Sequence, residues 1–321
     1  MELALYHEEH GYYSAHLRHI GYRGDFSTSA TLSTLLARRL VAHWREACLA
    51  FGRRLPFIEI GGGNGDLALG IARELGFWGR LRARYYMVDR SPALRRLQSM
   101  VGGNFVRVYA TPADALRHAG GYAFIFSNEL PDAFPARVFT YRAGKWLELG
   151  LSMGPDGVIE AARPCPQLPE SSVFARWAIE GQVVEVHESY RHWFSAWQPF
   201  WKGGVAVTID YGEPVDTLYF RRPAGTLRGY KAHTLLTRHE LPPLAGFCDI
   251  TADVNFTDLL HLAQASLGDP AQLMTQRDYL LAMADLSNPA DAHLVATPGA
   301  GDHFCVLVHH RFSDSAHGSD D

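Results

Sequence analysis

The stretch Phe57-Ile58-Glu59-Ile60-Gly61-Gly62-Gly63-Asn64-Gly65 constrains this chain more than any other. A short apolar run, an acid and glycines at alternate positions lead into the helix-like segment Asp66–Leu75. A strand that breaks into a glycine turn and then a helix offers backbone N–H groups and a positive dipole end to a polar ligand. Spacing restricts which ligand. The dinucleotide fingerprint G-x-G-x-x-G, started at Gly61, places its third glycine slot on Asp66, whose side chain would crowd the helix–strand contact and repel a pyrophosphate. NAD is therefore disfavoured.

Strand-like and helix-like runs alternate through the first half of the chain: Phe57–Ile60, Leu67–Leu75, Arg84–Val88, Pro92–Met100, Phe105–Tyr109 and Tyr122–Ser127. This spacing implies βαβ units, a parallel sheet and an α/β, doubly wound core with its ligand at the carboxyl ends of the strands. After Pro135 the pattern changes. Arg137–Tyr141, Lys145–Leu151 and Gly157–Ala161 are short strand-like pieces joined by turn sequences, which reads as an inserted antiparallel β region that Gln182–Val186 closes. The aromatic run Tyr190–Trp201 is expected to return to the core as a helix, with Trp193, Phe194, Trp197, Phe200 and Trp201 on one packed face. Gly204–Asp210 reads as a buried central strand and Phe304–Val308 as a late one. The expected division is a core of 1–136 and 191–321, a substrate-side β region of 137–190, and a disordered polar tail at 313–321.

Composition excludes several classes. A net charge of −4 with no basic stripe argues against a nucleic-acid binder. No apolar stretch approaches the length of a membrane span, and Met1-Glu2-Leu3-Ala4 lacks the order of a signal peptide, so a cytoplasmic location is expected. Cys48, Cys165, Cys248 and Cys305 form no C-x-x-C pair and are expected to be reduced and buried, and no histidine pair has zinc-binding spacing, so no metal is expected.

The order acid-x-G-x-G-x-G, carried by Glu59, Gly61, Gly63 and Gly65, resembles the first motif of the S-adenosylmethionine methyltransferases. That resemblance implies a turn, including Gly62 and Asn64, wrapped around a zwitterionic amino acid. A second acid that closes the next strand should accept both ribose hydroxyls, and Asp89 supplies it. Further segments occur in a fixed order: Gly11-Tyr12-Tyr13, Gly24-Asp25-Phe26-Ser27-Thr28-Ser29, Asp89-Arg90-Ser91-Pro92 with Gln98, Asn128-Glu129-Leu130-Pro131-Asp132-Ala133-Phe134-Pro135, Asp210-Tyr211-Gly212, Gly225–Tyr230 with His233, Asp249–Phe256, and Thr275-Gln276. Together they resemble the MidA family of methyltransferases over nearly the whole chain. That family includes the mitochondrial arginine methyltransferase needed to assemble respiratory complex I. Two departures stand out. Family members usually carry a helical segment ahead of the Met1–Tyr6 stretch, so either an element that covers the site is missing or the start is misassigned. The usual acid after the second strand is glutamate, and here it is Asp89.

The resemblance implies S-adenosylmethionine as cofactor and a protein substrate, with a respiratory complex I subunit among the candidates. It also implies a lid segment at Gly24, Asp25 and Thr28 that reaches the cofactor, although capping of a helix at Leu32–Val41 by Thr28 or Ser29 explains the same residues. Methyl transfer from a sulfonium is an in-line displacement, so the enzyme mainly positions the nucleophile. An arginine nucleophile stays protonated at physiological pH, and carboxylates that grip the guanidinium can draw its charge away from the attacking nitrogen. Asn128, Glu129 and Asp132, after the fourth strand, are the candidates for that work, and Glu148 on the hairpin could fold over them. Helix capping or a turn accounts for Glu129 and Asp132 in isolation. A buried ion pair between an aspartate and Arg228 would explain the motif positions Asp210, Tyr211, Arg228, Asp253 and Asn255 equally well. The reading is thus protein arginine N-methylation linked to complex I assembly. Its rivals are a small-molecule O- or N-methyltransferase and a cofactor-binding assembly factor with little turnover. Oligomeric state cannot be read.

Overall fold

Runs such as Phe57-Ile58-Glu59-Ile60 and Tyr85-Tyr86-Met87-Val88 are apolar on both faces of an extended chain, which suits strands covered above and below. In the computed structural model, which describes residues 1–16, 34–101, 103–155, 157–268 and 270–312, both are buried along their whole length. The strands are, in chain order, β1 Phe57–Ile60, β2 Tyr85–Val88, β3 Val106–Tyr109, β4 Tyr122–Asn128, β5 Arg137–Arg142, β6 Lys145–Gly154, β7 Gly157–Pro164, β8 Val183–Val186, β9 Gly203–Glu213, β10 Arg228–Lys231, β11 Thr234–Thr237, β12 Asp249–Thr251, β13 Val254–Asn255, β14 Ala271–Thr275 and β15 Phe304–Arg311. They divide between two compact units.

The first unit comprises Thr28–Asn128, Trp193–Ile209 and Leu262–Asp321. Its sheet has the order β14-β15-β9-β4-β1-β2-β3. β3, β2, β1, β4 and β9 are mutually parallel, and β14 pairs antiparallel with β15. The order reverses between β1 and β4, and at such a switch point the carboxyl ends of the strands flank a crevice. Gly61, Asp89 and Asn128 stand at those ends. Phe57 anchors the core beneath them, with ring centroids 4.8 Å from Trp44, 5.5 Å from Tyr85 and 5.8 Å from Phe124. The helices Leu35–Ala50 and Asp66–Arg82 bury Leu36, Leu40, Leu67 and Ile71 in the same cluster. Phe194, Trp197 and Trp201 are buried, as expected for a packing face.

The second unit comprises Met1–Ser27, Glu129–His192 and Asp210–His261. Here 1–27 and 210–261 join the inserted region, whereas the sequence reading assigned them to the core. The insertion is an antiparallel sheet of order β7-β6-β5-β8, longer at β6 and β7 than the sequence suggests. Ala143 (φ 50°) and Gly144 (φ 76°) both take the left-handed conformation at the β5–β6 turn, the geometry that matches a two-residue hairpin to strand twist. Phe139, Val184 and Val186 pack on Val173, Val215, Leu218 and Tyr219. A second sheet, β11-β10-β12, accompanies it. The helix near residue 35 begins at Leu35, after the N-cap Thr34. Gly24, Asp25, Thr28 and the tail 313–321 lie outside the described residues.

Among the described residues no helix is long and apolar enough to cross a membrane, and no group of three or more His, Cys, Asp or Glu side chains could hold a metal ion. The four cysteines are free thiols, with Cys248 and Cys305 buried and Cys48 and Cys165 half-buried.

Candidate functional site

The glycine turn is built from backbone conformations that side chains resist. Gly61, Gly63 and Gly65 have φ of 75°, 53° and 87°. Gly62 has a different reason: a Cβ there would lie 2.5 Å from Met87 Cε and 2.7 Å from the carboxyl carbon of Glu59. Gly61 N–H bonds Val88 O at 2.9 Å, which ties the turn to the end of β2, and Gly65 caps the following helix without a side-chain bond. Asn64 engages Asp66, its amide donating to Asp66 Oδ2 at 2.8 Å while its carbonyl accepts Asp66 N–H at 3.2 Å. The carboxylate at the third fingerprint slot therefore stands at the helix start, where a pyrophosphate would otherwise bind.

Glu59 lies under this turn, 2% exposed, and accepts the Tyr85 hydroxyl at 2.7 Å. Burial pushes its pKa up to about 7. Asp89 closes β2. Its Oδ1 accepts Ser91 N–H at 2.8 Å and its Oδ2 accepts the Gln98 amide at 3.2 Å. Burial raises the pKa of this carboxyl as well, against those hydrogen bonds and Arg95. Gln98 donates also to Gly63 O at 3.0 Å, so one fully buried side chain braces both the turn and the acid. Its Oε1 has no partner among the described residues. The sequence reading noted Gln98 only as part of a motif and missed Tyr85 altogether. A polar side chain on the inward face of the helix Pro92–Met100 was the available signal.

The acids after β4 belong to the second unit. Glu129 is half-buried in a left-handed conformation (φ 51°), an uncommon state for a residue with a Cβ. Asn128, the last residue of β4, is likewise half-buried. Asp132 sits in the 3₁₀ turn Pro131–Ala133 and is 7% exposed. Its Oδ2 accepts the hydroxyls of Tyr211 and Thr251, the latter at 2.7 Å, and its backbone N–H donates to Asp210 Oδ2 at 3.1 Å. Its Oδ1 is buried without a partner among the described residues, as is the Tyr190 hydroxyl in the same unit. Burial raises the pKa of both Asp132 and Asp210, and for Asp210 the nearby Asp132 and Glu129 add to the rise. Like charges this close favour one retained proton between them. Arg228 pairs with Asp253 and stacks over the Tyr211 ring at 5.0 Å. Tyr13 donates to Asp249 at 2.7 Å.

Glu148 is engaged by two arginines. It bonds Arg137 at 3.0 Å and Arg163 at 3.4 Å, and Arg137 holds its carboxyl below the usual range. Its charge is thus committed within the hairpin sheet. The motif residues Asp210, Tyr211, Arg228 and Asp253 do form buried polar bonds, including the ion pair that the sequence left as one explanation.

The geometry fits S-adenosylmethionine better than a dinucleotide: left-handed glycines leave room for a ligand against the backbone, Asp66 stands where a pyrophosphate would bind, and Asp89 closes the next strand, joined to the turn through Gln98. The comparisons with known proteins agree. A family model described as "Putative S-adenosyl-L-methionine-dependent methyltransferase" matches residues 35–272. The protein arginine methyltransferase NDUFAF7, mitochondrial, of Rattus norvegicus is 26% identical over 311 residues, covering 85% of this chain and 67% of its own length. The Homo sapiens protein of that name is 24% identical over 307 residues, covering 84% and 66%. The chain thus spans about two thirds of the length of these relatives. A crystal structure from Burkholderia thailandensis with S-adenosyl-homocysteine bound superposes with a TM-score of 0.81 at 28% identity, covering 98% of this chain and 87% of that one. A second, native crystal structure from that organism gives a TM-score of 0.78 at 28% identity, with the same coverage.

Proposed function

Because the chain belongs to the S-adenosylmethionine-dependent methyltransferases, whose family model spans residues 35–272, we propose that it methylates an arginine side chain of a protein substrate. The cofactor is S-adenosylmethionine. Glu59 to Gly65 and Asp89, braced by Gln98, are the residues assigned to hold it. When bound, it supplies a methyl group on a sulfonium, ready for in-line displacement.

The observation that carries the arginine reading is the buried acid group in the second unit: Asp132, whose Oδ1 has no partner among the described residues, with Asp210 and Glu129. A guanidinium offers five N–H donors in a fixed fork, and two carboxylates can accept from it side by side. Glu129 and Asp132 take that role here. Charge drawn toward the carboxylates leaves more electron density on the attacking nitrogen. As the N–C bond forms and the S–C bond breaks, one N–H proton must leave, and a buried carboxyl with a raised proton affinity is suited to receive it. The relatives' own name, protein arginine methyltransferase, supports the same substrate class. A subunit of respiratory complex I is the first candidate, on the motif resemblance.

The test is intact mass. Candidate complex I subunits incubated with the protein and cofactor should gain methyl groups. Glu129→Gln should keep cofactor affinity and lose most of the transfer, because the amide keeps the shape and removes the charge. Near wild-type transfer by that variant would defeat the arginine clamp while leaving the cofactor assignment standing. Cofactor binding with no transfer by the unaltered protein would favour an assembly factor.

A further inference from the structure

The helix Asp66–Arg82 changes character at its middle. Up to Leu75 it presents a buried stripe of Leu67, Ala68, Ile71, Ala72 and Leu75, as an amphipathic helix should. Gly76 then breaks the helical conformation with φ 64° and ψ −177°, and no residue beyond it is buried. The apolar side chains of the following turn point outward: Phe77 is 61% exposed, Trp78 69% and Leu81 66%. Positions 77, 78 and 81 lie one turn apart on one face. The two aromatic rings meet edge to face at 5.3 Å. Large apolar side chains grouped on a free surface mark an interaction site.

Within the stretch 77–84 every charge is positive. Arg80, Arg82 and Arg84 are exposed, and no carboxylate among the described residues pairs with any of them. The only acid between residues 73 and 84 is the half-buried Glu74. A protein partner is matched by apolar pockets and by acids at fixed points, whereas a lipid surface asks only for aromatic and aliphatic side chains at the headgroup boundary with cations beside them. A bilayer of anionic lipid supplies the opposite charge without needing a defined register.

We propose that the ledge formed by Phe77, Trp78 and Leu81, flanked by Arg80, Arg82 and Arg84, docks this protein on an anionic membrane surface. The three apolar side chains enter the headgroup region and the arginines bind lipid phosphates. The contact is peripheral, it leaves the glycine turn at the other end of the same helix untouched, and it does not depend on which substrate is methylated.

The test is co-sedimentation of the full chain with vesicles of phosphatidylcholine alone and of phosphatidylcholine containing about a third phosphatidylglycerol. Binding should require the anionic lipid and should weaken severalfold as salt is raised from roughly 0.05 to 0.5 M. The triple variant Phe77→Ser, Trp78→Ser, Leu81→Ser should partition at least about tenfold less, since each exposed apolar group contributes to insertion. Arg80→Gln with Arg82→Gln should lose most of the salt dependence. Both variants should retain S-adenosyl-homocysteine binding, which establishes that they are folded. No binding to anionic vesicles would overturn the proposal, and so would equal binding by the triple variant. A wild-type dimer that the triple variant converts to monomer, without vesicle binding, would also overturn it and assign the ledge to a second copy of the chain.

Discussion

At the scale of single residues, Glu59 carries a carboxyl where water scarcely reaches, and its pKa rises from 4.5 to about 7 through burial. Folding therefore takes up a proton between those values: the native state holds it and the unfolded chain does not. Stability from this group is full below about pH 4.5 and is lost as pH rises through about 7. The loss is on the order of 3 kcal/mol at 1.36 kcal/mol per pKa unit. Glu59→Gln is neutral throughout and should lack that slope. Urea denaturation at the two ends of the window measures it, and equal slopes in both proteins would mean that Glu59 is ionised when folded. In the turn above, Gly63→Val should abolish S-adenosylmethionine binding in calorimetry, because a β-branched residue resists φ 53° and fills the space where the ligand meets the backbone. Asp89→Ala should weaken binding by about 1–3 kcal/mol, the usual loss for a charge-assisted hydrogen bond. An unchanged dissociation constant would leave Asp89 as an acid that only braces the end of β2 through Ser91 and Gln98.

Among the elements, β8 does more than close the inserted sheet. Glu185, fully buried on it, accepts Thr226 N–H and Thr226 Oγ1, both at 2.9 Å, and Leu227 N–H at 3.2 Å. One side chain thereby fixes the segment that leads into β10 and Arg228. Glu185→Ala strands those donors in the interior and should cost roughly 1–3 kcal/mol for each one left unpaired, with faster amide exchange at Thr226 and Leu227. Exchange unchanged at those two amides would show that the segment is held by other contacts. Elements of this kind mark where the sequence stops being readable. β1, β2 and the glycine turn were legible because their information is local: apolar runs, glycine spacing, an acid at the end of the next strand. The hairpin turn at Ala143-Gly144 was legible for the same reason. The Asp132 group was not, because its partners Asp210 and Thr251 come from 78 and 119 residues away. Read locally, Asp132 is a turn residue and Thr251 an ordinary strand residue. Glu148 misled in the opposite sense, since its partner Arg137 lies 11 residues back across the hairpin, within reach of a register argument.

For the whole molecule, the chain passes from one compact unit to the other after residues 27, 128, 192, 209 and 261. Neither unit is a contiguous piece of sequence, which is why 210–261, with its short polar strands, was assigned to the core when read linearly. The sheet makes the same point. β15 lies between β14 and β9, so the last strand in sequence occupies an interior place. A chain ended at Asp302 keeps the glycine turn and every acid discussed above, yet it leaves β9 with a bare edge and β14 with no partner. Such a chain should be insoluble or should fail to bind S-adenosyl-homocysteine, and a soluble, binding-competent product would show that β15 is dispensable. On the ribosome this order has a timing consequence. The segment that recognises the cofactor emerges early, but β9 keeps an open edge until β15 has followed it. Between the synthesis of β9 and that of β15 the nascent protein must keep this unpaired edge from sticking to its neighbours.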